Sequence, residues 1–182
     1  MPIEPEAKSW TWVNERPCVE CGFDASSTDP RQVAELVRVN VGEWRRLLAS
    51  PVELVTRRPD DSTWSALEYA CHVRDVYELL AYRFDRLLAE DHPSFEDWHP
   101  DRMAAARDYP GEHDPEQVLA QLEERADRVI AHVAAMTDDG WQRQGARADG
   151  LEFTAAWLST YLTHDVIHHV HDVERGLARI RA

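Results

Sequence analysis

Apolar residues recur at helical spacing in four stretches of this 182-residue chain. Val33, Leu36, Val37, Val41, Trp44, Leu47 and Leu48 form the first stripe, which follows Asp29-Pro30-Arg31-Gln32 and stops at Pro51. An acidic N-cap with proline next to it starts a helix there, because proline lacks an N–H that the first turn would leave unpaired. Ser65 with Glu68 three residues on is a capping box, and Leu67, Ala70, Tyr77, Leu80, Phe84 and Leu87 then mark a second helix to about Glu90. Asp114-Pro115-Glu116-Gln117 repeats the first start ahead of Val118, Leu122, Val129, Ile130 and Val133, with an end near Met136. That likeness is shared capping chemistry rather than an internal repeat. The fourth helix covers about Thr154 to Ala178, with Thr154 as its candidate cap. No stretch alternates with period two, so no sheet is expected beyond a small hairpin near the N-terminus. The pattern predicts an all-α protein: an antiparallel-type four-helix bundle over residues 29–182, preceded by an arm over residues 1–28.

The fourth helix is apolar or ligand-bearing on two sides. Trp157, Tyr161, His164, His168 and His171 share one stripe, while Val166, Val170, Val173 and Leu177 share roughly the opposite one. Burial on both sides requires a further covering element, and a homodimer is one way to provide it. His164 and His168, four apart, lie one above the other, where two imidazoles can face one metal ion. A third ligand has to come from elsewhere. His72, two turns into the second helix, falls with Tyr69, Val76 and Leu79 and away from Glu78 and Asp85, which turns it toward the bundle interior. Three neutral nitrogens leave one tetrahedral position open for water or a substrate atom, the mark of a catalytic zinc-type site, and bundles build such sites from facing helices. Imidazole suits zinc or nickel, whereas magnesium prefers hard oxygen donors. Asp75, Asp165, His169 and Asp172 are candidates to orient the ligand rings. Tyr161 and His171 are the candidate acid–base groups. His92, His99, His113 and His132 share no such spacing and are expected elsewhere.

The arm holds a separate motif, Pro17-Cys18-Val19-Glu20-Cys21-Gly22. Cys-x-x-Cys-Gly is half of a zinc knuckle, and a closed zinc site needs four ligands. Three roles are open to Cys18 and Cys21: a second zinc completed by histidines of the bundle or by a partner chain, a redox pair, or inert turn residues. Cys71 is next to His72 in sequence, so on a helix it points about 100° away and is expected to be packed. The connection over residues 91–113, with Pro93, Phe95, Trp98, His99, Pro100, Met103 and Tyr109, is long for a compact bundle. It either walls a substrate pocket or plugs one end of the bundle.

Charge narrows the partners. Thirty-four acidic residues against twenty basic ones give a net charge of −14, which repels phosphate backbones and anionic membranes, so neither nucleic acid nor membrane is an expected partner. No apolar run reaches the length of a membrane span, and the first residues lack a basic region followed by an apolar core, so a cytoplasmic location is expected.

Trp64-Ser65 before a helix, a histidine seven residues after that serine, and a late helix with His164-x-x-x-His168 resemble the DinB/YfiT-like superfamily of metalloenzymes. The resemblance covers roughly residues 30–176 and rests on the segment from Trp64 to His72 and on residues 163–175. It implies a four-helix bundle with a three-histidine divalent-metal site, carried here by His72, His164 and His168. It also implies chemistry like that of thiol S-transferases using mycothiol or bacillithiol, or of a mycothiol-dependent maleylpyruvate isomerase. The expected function is therefore S-transfer with a low-molecular-weight thiol as cosubstrate. Metal-dependent hydrolysis of a small-molecule substrate on the same ligands, or a non-catalytic metal-binding stress-response bundle, are the alternatives.

Overall fold

A computed structural model describes residues 10–182, and the first nine residues, read above for a targeting signal, lie outside the described residues. Four long helices, α1 (Val33–Leu48), α3 (Ala66–Ala89), α5 (Pro115–Ala135) and α7 (Ala155–Arg181), alternate with the short helices α2 (Val52–Val55), α4 (Pro100–Ala106) and α6 (Asp138–Trp141). The capping chemistry read from the sequence is present at all four starts. The Asp29 carboxylate accepts from the Arg31 amide at 2.9 Å, though it opens a 3-10 turn over Pro30–Gln32 that leads into α1. The Ser65 hydroxyl accepts from the Glu68 amide at 3.2 Å while the Glu68 carboxylate accepts from the Ser65 amide at 2.8 Å. Asp114 accepts from the Gln117 amide at 3.0 Å, and Thr154 from the Trp157 amide at 3.1 Å. Each bond satisfies an N–H that the helix cannot pair internally.

The helices close one core. Each of α1 and α3 packs against both α5 and α7, so α1 stands diagonally across the bundle from α3, and α5 from α7. The stripe of α3, Leu67, Ala70, Tyr77, Leu80, Phe84 and Leu87, is fully buried, as are Val118, Leu122, Val129 and Val133 of α5. Val166, Val173 and Leu177 of α7 are buried as well. The opposite, histidine-bearing side of α7 lies under the arm, where Asn14 donates to the Trp157 carbonyl at 2.8 Å. Both faces of α7 thus pack against elements of the same chain. Among the described residues no helix is long and apolar enough to cross a membrane.

The expected hairpin is not where the sequence reading put it. Strands β2 (Gln144–Arg147) and β3 (Glu152–Thr154) pair antiparallel in the connection before α7, and β1 (Ser94–Phe95) adds in parallel beside β2. The described part of the arm instead forms a 3-10 turn over Thr11–Asn14. The strands are too short for period-two alternation to show, and glycine carries the geometry. Gly150 turns the hairpin with φ +88°, and a Cβ at Gly145 would stand 2.9 Å from both the Phe95 ring and the Pro93 carbonyl. This small sheet ties the start of the 91–113 connection to the root of α7.

Two buried polar networks fix the helices relative to one another. Tyr77 on α3 donates to the Asn40 side-chain oxygen at 2.7 Å, and Asn40 on α1 donates to the Val166 carbonyl of α7 at 2.8 Å. Asp75 is the second hub: its carboxylate accepts from Arg74 at 2.9 Å, Tyr109 at 2.6 Å, Arg107 at 2.7 Å and Arg125 at 2.8 Å. Burial alone would raise the Asp75 carboxyl, but the bonds from Arg74 and Tyr109 and the guanidinium charges outweigh it and hold it below the ordinary value.

Two stability measurements follow from these networks. Tyr77→Phe leaves the Asn40 oxygen buried without its donor and should lower the unfolding free energy by about 1–2 kcal/mol in urea titrations; an unchanged midpoint would contradict the role given to the bridge. Asp75→Asn leaves buried guanidinium groups uncompensated and should cost about 3 kcal/mol near neutral pH. Because the folded Asp75 pKa is depressed, its contribution is fully present above the unfolded value of about 3.9 and is lost as pH falls through the folded value. The gap between parent and Asp75→Asn should therefore narrow between pH 7 and pH 3, and a gap constant with pH would refute the assignment.

Candidate metal centre

Helix α7 carries two interleaved i,i+4 pairs, His164 with His168 and Asp165 with His169, offset by one residue and hence by about 100° around the axis. They face different neighbours. Asp165 and His169 turn toward α3, where their ligating atoms and that of His72 all lie within 4.8 Å of one another. His72 Nε2 stands 3.2 Å from Asp165 Oδ2, and His169 Nε2 stands 3.6 Å from Asp165 Oδ1. Tetrahedral coordination with bonds of about 2.0–2.1 Å puts neighbouring N and O donors about 3.3–3.4 Å apart, so these separations bracket what a zinc-class ion needs. His72 is 1% exposed, and its Nδ1 is buried without a hydrogen-bond partner. His169 Nδ1 lies 3.1 Å from Asp172, a carboxylate placed to orient that ring. Two histidines and a carboxylate from facing helices fit a divalent ion with an open position.

The expected triad of His72, His164 and His168 is not assembled. His164 and His168 turn instead toward the arm and lie with Cys18 and Cys21, again with all ligating atoms within 4.8 Å. The reason is the one-residue register on α7: His-x-x-x-His is one ladder, Asp-x-x-x-His the next, and the packing of α7 on α3 selects the second. Asp165 and His169, expected as orienting groups, stand with His72 as a candidate ligand group of their own. Asp172 keeps its orienting role. His92, His99, His113 and His132 belong to neither group. Cys71 is packed at 1% exposure, where burial pushes its thiol up to about 12.

The charge states separate the two groups. Burial lowers His72, with Asp165 only partly opposing it; burial and the neighbouring His168 bring His164 down to about 4, and burial lowers His168 too. All three are neutral at physiological pH and hold a lone pair for a ligand. At Asp165 burial would raise the carboxyl, but the His169 charge and the bonds from His169 and His72 hold it well below the carboxylate range. His169 moves the other way, up to about 10, because Asp165 and Asp172 outweigh its burial, so the metal-free ring is a cation that must give up a proton before it can ligate an ion.

A cleft of about 540 Å³ is lined by Arg83 and Arg86 of α3 and by residues 94–99 and 102–103 of the long connection; the His72 group does not line it but lies behind Trp98. Trp98 lines it and also packs 5.1 Å from the His72 ring, so part of the 91–113 connection walls a cleft. A smaller hollow of about 190 Å³, between Leu47 and Leu177, is bordered by none of these ligands. Arg83 is 4% exposed, and its Nε has no hydrogen-bond partner. Burial and the nearby Arg147 bring it down to about 10, still cationic at neutral pH. No helical spacing pointed to Arg83; its burial with an unpaired Nε emerges only from packing. Tyr161 stacks on Trp157 at 4.9 Å, and burial and the Asp165 charge raise its hydroxyl pKa, with Arg147 and Arg83 opposing. His171 lies 6.2 Å from the His168 ring and belongs to neither ligand group.

Known proteins share this fold. YfiT from Bacillus subtilis, described as a probable metal-dependent hydrolase with an unusual four-helix bundle topology, superposes with a TM-score of 0.74 at 19% identity over 84% of this chain and 87% of its own. A mycothiol-dependent maleylpyruvate isomerase superposes with a TM-score of 0.57 at 12% identity over 87% of this chain, which spans 63% of the isomerase. No curated protein matches this chain in sequence. The sequence pattern of the DinB superfamily matches residues 41–173, most of the bundle and well over half of the chain, and this chain belongs to the DinB superfamily.

Proposed function

We propose that the protein is a metal-dependent enzyme whose working ion is held by His72, Asp165 and His169, and that it transfers a low-molecular-weight thiol of the mycothiol type to an electrophile bound in the cleft under Trp98. The observation that carries the reading is the convergence of these three donors near a cleft whose wall holds the buried Arg83 guanidinium, one N–H of which is unpaired. A divalent ion on three protein ligands supplies an open position at which a thiol or water loses its proton near neutral pH.

The chain's own residues do the rest. His72, Asp165 and His169 fix the ion from two helices, with Asp172 holding the His169 ring. Arg83 selects a substrate that carries a carboxylate or similar anion, because a buried cation with an unpaired N–H is stabilised by pairing. Tyr161 keeps its proton at neutral pH and, close to Asp165, Arg83 and Arg147, is the group to donate a hydrogen bond or proton to the reacting substrate. Trp98 and the long connection shield this space from water. His171, outside both ligand groups, has no part in the reading. The likeness to YfiT favours one second reading, hydrolysis, in which water takes the place of the thiol on the same ligands.

The test combines metal analysis with turnover. Purified chain should bind a divalent ion, and His72→Ala with His169→Ala should lose that ion and at least a hundredfold of kcat/KM in a screen of small thiols against anionic electrophiles. Arg83→Leu should raise KM for anionic electrophiles about tenfold or more and leave neutral ones within a factor of two to three. Turnover equal with and without thiol would move the assignment to hydrolysis, and full activity in the double variant would end the metalloenzyme reading. Tight metal binding with no turnover under any condition would point to a non-catalytic bundle.

A further inference from the structure

We propose that Cys18, Cys21, His164 and His168 form a second, closed metal site, a Cys2His2 zinc centre that staples the N-terminal arm to α7. It stands apart from the catalytic reading, because none of its ligands belongs to the His72 group. The four ligating atoms lie within 4.8 Å of one another, although the cysteines and histidines are some 150 positions apart in the chain. Cys18 Sγ is 3.6 Å from His168 Nδ1. A tetrahedral zinc with S and N bonds of about 2.3 Å and 2.0–2.1 Å separates those donors by about 3.5–3.6 Å, so the pair already stands at coordination distance.

The arm is shaped to present both sulfurs. The Gly22 amide donates to the Cys18 carbonyl at 2.9 Å and the Cys18 amide to the Phe23 carbonyl at 2.9 Å, a tight turn that closes because Gly22 adopts φ +75°. Cys18 is 1% exposed and both thiols are free rather than bonded as a disulfide. On the histidine side, His164 Nε2 is buried with no hydrogen-bond partner, an unfavourable state for a neutral imidazole. His168 turns its other nitrogen to Asp172 at 3.6 Å, the outer carboxylate that a metal-bound histidine calls for. Trp10 packs 5.6 Å from the His164 ring and 5.0 Å from the His168 ring, and so roofs the group. Two thiolates with two imidazoles select zinc over magnesium or calcium, and four protein ligands leave no position for substrate. The site is therefore structural. Asp172 reaches His168 with one oxygen and His169 with the other, so the closed centre also fixes the carboxylate that orients a ligand of the open one.

The experiment counts zinc in the full chain with His72→Ala and His169→Ala in place, so that the open site contributes nothing. About one zinc per chain should remain, and adding Cys18→Ser with Cys21→Ser should remove it. Equal zinc in the two proteins, or none in the first, would overturn the proposal. A measurement on the unsubstituted chain guards against loss of fold: cobalt in place of zinc should give a sulfur-to-metal charge-transfer band, which only the thiolate site can produce. Cobalt that binds without that band, or Cys18 and Cys21 fully reactive to a thiol reagent in zinc-saturated protein, would equally refute it. Chelation should also release the arm, read as faster amide exchange over residues 10–28; unchanged protection would show that no metal holds it.

Discussion

Helix α7 is enclosed on all its working sides, and the 100° step between successive residues distributes its ligands among them. One step directs Asp165 and His169 at His72, and the preceding one directs His164 and His168 at the cysteines of the arm. A helix with one exposed face could display only one such ladder usefully. Here the arm, α3 and α1 pack around α7, so one ladder is buried, the other half-buried, and most of the apolar stripe is buried. Asp172 ties the ladders together, since each of its oxygens meets a histidine from a different group. Rotation of α7 by even one residue would break both groups and expose the valine stripe at once.

The rest of the fold serves to prevent that rotation. Asn40 hydrogen-bonds a carbonyl in the middle of α7 and is itself held by Tyr77 of α3, which pins three helices at the level of Asp165. Asp75 gathers guanidinium groups from α3, α5 and the long connection, which seats Tyr109 beside Trp64, and Trp64 in turn packs against the His72 ring. Buried ionic groups are expensive unless paired, and nearly all of these are. Arg83 is the exception. Its incomplete pairing, in a wall of a cleft next to a ligand group, is the kind of local imbalance that marks a place for a bound anion rather than a contribution to stability.

Much of the architecture was legible in local chemistry. Caps at Asp29, Ser65, Asp114 and Thr154 and the apolar stripes after them are properties of short segments, decided by unpaired amide groups and by the helical repeat, so the four helices could be read directly. The strands could not be read, because four residues with two nearby glycines carry no pattern; they form only where Phe95 and Pro93 crowd against Gly145. The candidate chemistry was legible in kind and not in grouping. Histidines four apart on the last helix, an inward histidine on the second and a Cys-x-x-Cys without a second pair pointed to candidate metal ligands, and the acidic balance argued against polyanionic partners. Which ligand joined which was set by tertiary packing alone. Two ladders one residue apart are equivalent in sequence, and only the rotation of α7 against α3, fixed by buried area and by the Asn40 bond, distinguishes them. The same holds for Cys18 and Cys21. A turn that presents two sulfurs is a local property, but the imidazoles that face them come from the far end of the chain and arrive there only when the bundle closes.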